Sequence, residues 1–517
     1  MNNLKLQKYM VLLLFSIINT SLIYTFLIYS DKWYIYLCFL ALSSIYNSLG
    51  SLYIWYKTMF IKDIDHITRR SSFVYIVPCY NEDIHELTNT IDSLKNQKDI
   101  DIHTKLLVII CDGKVMNANS EKTTDKILIE DIFGNCDLER RRFPEAYKTW
   151  DNSWNSLDMY SGCMNDLPFI ILIKDKNYGK RDSLVLIRRL LYNYMKFSYK
   201  FDRFDPMFSS AVIEKLYKVF PSYSIDYIIG TDADTVFKND CVYTLLNDIN
   251  NGSDNVVGCV GFVEISPEMN DWSLWTMYQN VEYIFAQCLK RRIQSLLTHK
   301  VSCLSGCVQI LKVCEELCGE RVLSEFNRLP AEEENIFNHI RSYASEDRNH
   351  ICIAMSMYPY IQTIQSLNAL AYTKVPSNLK VFLSQRRRWS LGATMNDLLL
   401  VYKPNIVFIE RVNAFINIFT YIIFPFILVA SVFFIKAILT STDLLILYLS
   451  IPMFIPFMFG LIIPLYIKKM TMKDALYFWI GFCIYSSFGF IVNTCIGIYS
   501  VLNMDVLTWG KTRIIKN

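Results

Sequence analysis

The chemistry in this chain is concentrated in four short stretches. TDADT, Thr231 to Thr235, sets two carboxylates, Asp232 and Asp234, two residues apart. In an extended segment such a pair lies on one side of the backbone. There it can share a hard divalent cation, which can in turn neutralise a diphosphate leaving group. KNYGKRDS, Lys176 to Ser183, offers Asn177, Gly179, Lys180 and Arg181 at a strand-to-helix transition. Gly179 permits close backbone approach, and the two cations suit a nucleotide or its phosphates. ASEDRN, Ala344 to Asn349, contains the adjacent acids Glu346 and Asp347. Only one of two consecutive side chains readily faces a cleft, and that carboxylate could take the proton from an attacking hydroxyl. SQRRRW, Ser384 to Trp389, puts three arginines against a tryptophan shortly before a long apolar run. In isolation it reads as a basic interfacial helix drawn to anionic lipid.

Positioning these groups requires rigid elements, and the segment from Ser71 to about Gln365 has the alternation of an α/β domain. Five apolar runs read as strands: Phe73 to Pro78, Lys105 to Cys111, Phe169 to Ile173, Tyr227 to Gly230 and Val256 to Val263. Their nearly unbroken apolarity predicts strands buried on both faces of a parallel sheet. Ligands of such sheets bind beyond the carboxyl ends of the strands. The residues following the first four runs are CYNE, CDGK, KDKNYGKRDS and TDADT, so the charged residues collect at one edge. The charge-rich stretch from Val115 to Leu167 carries no motif and is expected to be a peripheral insertion.

Composition sets the setting. Hydrophobic residues make up 52% of the chain, too many for an ordinary soluble protein. The net charge of +3 gives no case for nucleic-acid binding. The fifteen cysteines form no CxxC pair and no zinc spacing, which predicts reduced, mostly buried thiols. Five charge-free stretches are long enough to cross a bilayer: Tyr9 to Tyr29, Trp33 to Tyr56, Val412 to Ile435, Leu444 to Ile467 and Ala475 to Met504. Alternating them places Lys5, Lys8, Lys57, Lys62, Arg69, Arg70, Lys403, Arg411, Lys468, Lys469 and Lys473 on one side, the cytosolic one. The central region is then cytosolic and the C-terminal tail outside. Lys436 at an outer end, and Lys511, Arg513 and Lys516 in the tail, run against that count.

Taken together, VPCYNE, CDG, NYGKRDS, DAD, QNVEYIFAQ (Gln279 to Gln287), CLSGC (Cys303 to Cys307), ED, QRRRW and TWGKTR (Thr508 to Arg513) resemble the chitin synthases among the processive family 2 glycosyltransferases. The terminal motif is similar to that of a fungal branch whose members often carry extra domains, and this chain looks like a minimal form. The resemblance spans nearly the whole length. Cellulose and hyaluronan synthases share the DxD, ED and QxxRW logic but not this set. Other processive polysaccharide synthases, and an inactive membrane scaffold, are the alternative readings.

The resemblance implies a GT-A-like glycosyltransferase domain at residues 73–375, inserted between transmembrane helices. A transmembrane hairpin (1–57) and a linker (58–72) would precede it. Interfacial helices with QRRRW (376–410), three channel-forming spans (411–504) and a tail (505–517) would follow. It implies transfer of N-acetylglucosamine from UDP-N-acetylglucosamine to a β-1,4 chain with inversion, in plasma membrane and secretory vesicles, by a chain in contact with membrane lipid and able to form a homodimer. Asp112 would hold uridine beside Pro78, Tyr80 and Glu82, while Lys180 and Arg181 would bind the donor. Asp234, with Asp232, would carry Mg²⁺ or Mn²⁺, Asp232 lying nearer the sugar nucleotide. Asp347 would be the base. Arg388 would face the diphosphate, and Gln385 and Trp389 the acceptor. Gly306 would touch the acceptor terminus, on a turn where Ser305 replaces a common proline. Arg386 and Arg387 stay undivided between phosphate, carboxylate and lipid. Trp509, Thr512 and Arg513 would serve translocation, through a channel loosened by Pro425, Pro452, Pro456 and Pro464.

Overall fold

In the computed structural model, residues 3–29, 36–60, 69–117, 120–197, 202–266, 272–440 and 444–507 are described. TWGKTR, with Trp509, Thr512 and Arg513, lies outside them, as do Trp33 and Lys62.

All five expected strands form, within one ten-stranded sheet ordered β3-β4-β5-β2-β1-β6-β9-β8-β10-β7. Its strands are β1 (Ser72–Cys79), β2 (Thr104–Cys111), β3 (Glu139–Lys148), β4 (Trp154–Met164), β5 (Leu167–Lys174), β6 (Tyr227–Gly230), β7 (Val236–Phe237), β8 (Val256–Ile265), β9 (Gln309–Lys312) and β10 (Gln362–Thr373). The central run β5-β2-β1-β6 is parallel, and apolar clusters cover both of its faces, as the continuous hydrophobicity requires.

The sheet is mixed, however, where a parallel one was expected. β9 pairs antiparallel with both β6 and β8. A strand running backwards begins at the edge where its neighbours end. β9 therefore carries the loop before it, CLSGC, to the carboxyl ends of the parallel strands. The stretch 115–167 also differs from expectation. Its β3 and β4 extend the sheet antiparallel beyond β5, so it is built into the domain, not appended to it.

Among the described residues, three helices are long and apolar enough to cross a membrane: α1 (Asn3–Ile28), Ser450–Ile467 and α10 (Met472–Leu502). The second predicted span forms α2 (Leu37–Phe60). The third predicted span is broken. It comprises α7 (Phe408–Ile422) and α8 (Phe424–Thr440), bent by 80°. Pro425 stands at the start of α8, where it lacks the N–H a continuous helix would use. Hydropathy alone could not reveal the break, because the apolar run continues through it.

Near its start, α10 stacks Tyr477 on Trp272 at 4.9 Å. Just past its end, the Asn503 carbonyl accepts from Arg387 at 3.1 Å and Asp505 pairs with Lys8 at 2.7 Å. The start of α10 is thus tied to Trp272, and the turn after its end to α6 and to the start of α1.

Candidate active site

Each parallel strand delivers a polar turn to one edge. After β6 the chain turns sharply, and Thr235 N–H donates to the Asp232 carbonyl at 3.2 Å. TDADT is therefore a turn where an extended segment was expected. Asp232 and Asp234 are both half-buried, and Ala233 between them is buried.

Helix α3 (Lys180–Lys196) starts after β5, with Gly179 as its N-cap. Its first residue, Lys180, reaches across to Asp232 at 2.6 Å and faces Glu346 at 3.5 Å and Asp347 at 4.0 Å. The two acids open α5 (Glu346–Met357). The Gly306 N–H, on the loop before β9, donates to Asp347 Oδ2 at 2.8 Å. A Cβ on Gly306 would lie 2.7 Å from Lys180 Nζ, 2.8 Å from Asp347 Oδ2 and 3.1 Å from Asp232 Oδ1. Only glycine allows these three elements to close on one point. The next residue, Cys307, points its thiol at Asp232 Oδ2, 3.3 Å away.

The two carboxylates diverge electrostatically. Burial pushes the Asp347 carboxyl up to about 6, helped by Glu346 and Asp232 and resisted by Lys180 and the Gly306 N–H. Burial also acts on Asp232, but the Lys180 ammonium and the Cys307 thiol outweigh it and hold this carboxyl below its ordinary value. Near neutrality one acid is a poised proton acceptor and the other a firm anion.

Asp112 stands at the end of β2 in a sealed setting. Its carboxylate meets the fully buried Lys174 at 2.6 Å and accepts from the Tyr178 N–H at 3.1 Å. Lys174 also meets Asp182 at 2.8 Å and Ser183 Oγ at 3.1 Å. Tyr147, from β3, donates to Asp182 at 2.6 Å. Within GKRDS, then, Lys180 turns into the cleft while Asp182 and Ser183 turn into the core. The Arg181 guanidinium lies 4.7 Å from the Phe326 ring and donates to the Phe326 carbonyl at 2.7 Å. At the end of β1, Pro78 pairs with Ile110. Glu82 folds back to accept the Tyr80 N–H at 2.7 Å.

QRRRW lies on α6 (Leu379–Tyr402), whose arginines take three directions. Arg386 is buried against Glu282 on α4 (Leu274–Ala286). Arg387 ties α6 to the end of α10 through Asn503. Arg388 loses basicity to burial and to its neighbour Arg387, against the pull of Glu346 and Asp232. Trp389 is 42% exposed, with its ring edge-on to Tyr283 at 5.7 Å. Further along, α6 is locked to the start of α5. Asp397 pairs with Arg348 at 2.8 Å and accepts from Asn417 at 3.1 Å.

Sequence reasoning missed Lys174, Glu282, Cys307, Arg348 and Asp397 as parts of this assembly. Glu282 and Cys307 stand inside quoted motifs, and Arg348 directly follows the ED pair; nothing in their spacing names their partners. The described cysteines form no disulfide, and seven of the fourteen are buried, fewer than expected. Among the described residues no group of three or more His, Cys, Asp or Glu side chains converges as a ready-made metal site.

A family profile described as Chitin synthase matches residues 56–165 and 171–517. Chitin synthase 8 of Gibberella zeae is 34% identical, over 99% of this chain and 78% of its own. Chitin synthase 8 of Verticillium dahliae is 34% identical, over 83% of this chain and 74% of its own. A looser structural likeness is to the mannosyltransferase PcManGT from Pyrobaculum calidifontis in complex with GDP-Man and Mn²⁺. It has a TM-score of 0.41 at 12% identity and covers 92% of this chain and 99% of that one, too distant to support any step below.

Proposed function

The chain belongs to the chitin synthase family and is a glycosyltransferase; on that premise we propose a division of labour for its cleft. N-acetylglucosamine passes from UDP-N-acetylglucosamine to the 4-hydroxyl at the end of a β-1,4 chain, with inversion, on a GT-A-like domain facing the cytosol. Asp347 takes the proton of the attacking hydroxyl. A carboxyl raised to about 6 is ionised at neutral pH and still basic enough to gain from the transfer. Arg388 stabilises the departing diphosphate, and Lys180 holds Asp232 beside the sugar nucleotide. Asp112 and the loop at Pro78, Tyr80 and Glu82 border the uridine. Gln385 and Trp389 hold the acceptor.

The single observation that carries this reading is Lys180, an ammonium set between Asp232 and the Glu346–Asp347 pair, with Gly306 closing the gap.

The DAD turn fits Mg²⁺ or Mn²⁺. Both cations prefer oxygen ligands and are commonly held by one or two carboxylates, with phosphates and water completing the shell. We assign the ion to Asp234 with Asp232 at its side. When bound, it would neutralise charge on the diphosphate.

The growing chain would leave through the C-terminal apolar helices. Pro452 and Pro456 interrupt α9 (Leu444–Ile462), and Pro464 sits in the π-helical turn Ile463–Ile467. The Pro452 carbonyl accepts from Ser48 Oγ at 2.5 Å, so a neighbouring helix partly satisfies backbone groups at the interruption. Plasma membrane and secretory vesicles suit a polymer bound for a wall.

Purified protein given radiolabelled UDP-N-acetylglucosamine alone should yield a chitinase-sensitive polymer. A requirement for UDP-glucuronate or UDP-glucose would reject the substrate assignment.

A further inference from the structure

Arg386 is 3% exposed, and its guanidinium donors have specific destinations. Nε lies 3.0 and 3.1 Å from the two Glu282 oxygens, and Nη2 lies 2.7 Å from Glu282 Oε2. Nη1 donates to Gln385 Oε1 at 2.8 Å. The guanidinium carbon lies 4.3 Å from the Trp389 ring centre, 4.7 Å from Phe382 and 5.5 Å from Tyr283. One planar cation therefore touches both Gln385 and Trp389, while Glu282 fixes it from another helix.

We infer that Arg386 and Glu282 form a positioning unit that orients Gln385 and Trp389 for the acceptor sugar; this rests on the assignment of those two residues to the acceptor. A guanidinium has donors only, so the side-chain oxygen of Gln385 must face it. The Gln385 amide is thereby fixed with its NH₂ group turned elsewhere. That group can meet only an oxygen that accepts hydrogen bonds, such as a sugar hydroxyl or an acetamido carbonyl. Specificity for the terminal sugar thus reaches Gln385 through Arg386.

A buried ion pair is a poor device for stability alone, since apolar residues of equal volume often do as well. Lysine cannot replace the fork, because it has no plane to stack on Trp389 and no bidentate geometry for Glu282.

The test compares Arg386→Lys, Glu282→Gln and Gln385→Glu with the wild type in detergent. Three quantities are read: UDP affinity by calorimetry, polymer formed, and UDP released by hydrolysis without transfer. Arg386→Lys and Glu282→Gln should bind UDP within about twofold of wild type while losing about 10- to 100-fold in polymer, the scale expected when a binding group is misplaced by about 1 Å. The ratio of hydrolysis to transfer should rise. Gln385→Glu keeps an oxygen for Arg386 but presents no NH₂, so it should lose transfer as severely.

Parallel loss of UDP binding and transfer would overturn the inference, as would full polymer yield in Arg386→Lys. If Glu282→Gln stays monodisperse, with wild-type Tm and an unchanged hydrolysis-to-transfer ratio, the inference also fails. Trp389→Ala separates the two levels: undiminished transfer in that variant would remove the acceptor assignment itself, whereas absence of a chitinase-sensitive product in the wild type would remove the proposed reaction.

Discussion

Two lysine–aspartate pairs stand within this domain at the same separation, 2.6 Å, and have opposite characters. Lys174 and Asp112 are sealed: the lysine is wholly buried, and Asp182, Ser183 and Tyr178 complete the network. Lys180 and Asp232 lie in a cleft, where the lysine is shared with Glu346 and Asp347. The first cluster is closed, with one ammonium shared between two carboxylates. In the second, one ammonium serves three carboxylates, and burial, helped by Glu346 and Asp232, raises the Asp347 carboxyl to about 6. Identical ions thus make a joint in one place and a reactive centre in the other.

The largest test of that contrast is Asp347→Asn. It should lower polymer synthesis by about 10²- to 10⁴-fold, the range for loss of a general base, with UDP affinity retained in calorimetry. Full activity would place the base elsewhere. Lys174→Met should do the reverse damage. Leaving Asp112 and Asp182 without their cation should cost about 3–5 kcal/mol and show as a large fall in Tm. Lys180→Met should leave Tm near the wild-type value and reduce synthesis. Equal Tm losses in the two lysine variants would erase the distinction.

A smaller effect is read from pH. Asp347 must be ionised to accept a proton and its carboxyl is raised, so activity should climb as the pH rises through about 6 and fall below it. Asp232 is shifted downward and stays ionised in that window. Because Lys180 lowers the Asp347 value, residual activity in Lys180→Met should have its acid limb at higher pH than the wild type. The mildest change is Gly306→Ala. Its methyl meets the mobile end of Lys180 as well as the Asp347 carboxylate, so binding and fold should survive while turnover drops.

The core of this assembly was legible because local signals carried it. Strands buried on both faces announce themselves as apolar runs, and the turns after them held Asp112, Lys180 and Asp232 in plain view. The rest depends on pairings at long range. Arg386 meets Glu282 across 104 positions and Arg348 meets Asp397 across 49. No composition or period encodes either. Within GKRDS the helix turn sends Lys180 one way and Arg181 another, a choice made by Phe326 far downstream. The broken span was invisible for a different reason: hydropathy measures whether a segment avoids water and says nothing about its direction.

The bond between Lys8 and Asp505 joins positions separated by 497 residues. A ribosome would finish almost the whole of this sequence before the first helix could meet that partner. Until then Leu12 and Phe15 on α1 lack the cover that Val501 and Met504 bring. The early helix would therefore wait, partly undressed, in the membrane or with a chaperone. Nascent chains stopped short of Val501 would keep that face of α1 uncovered even with a complete cleft.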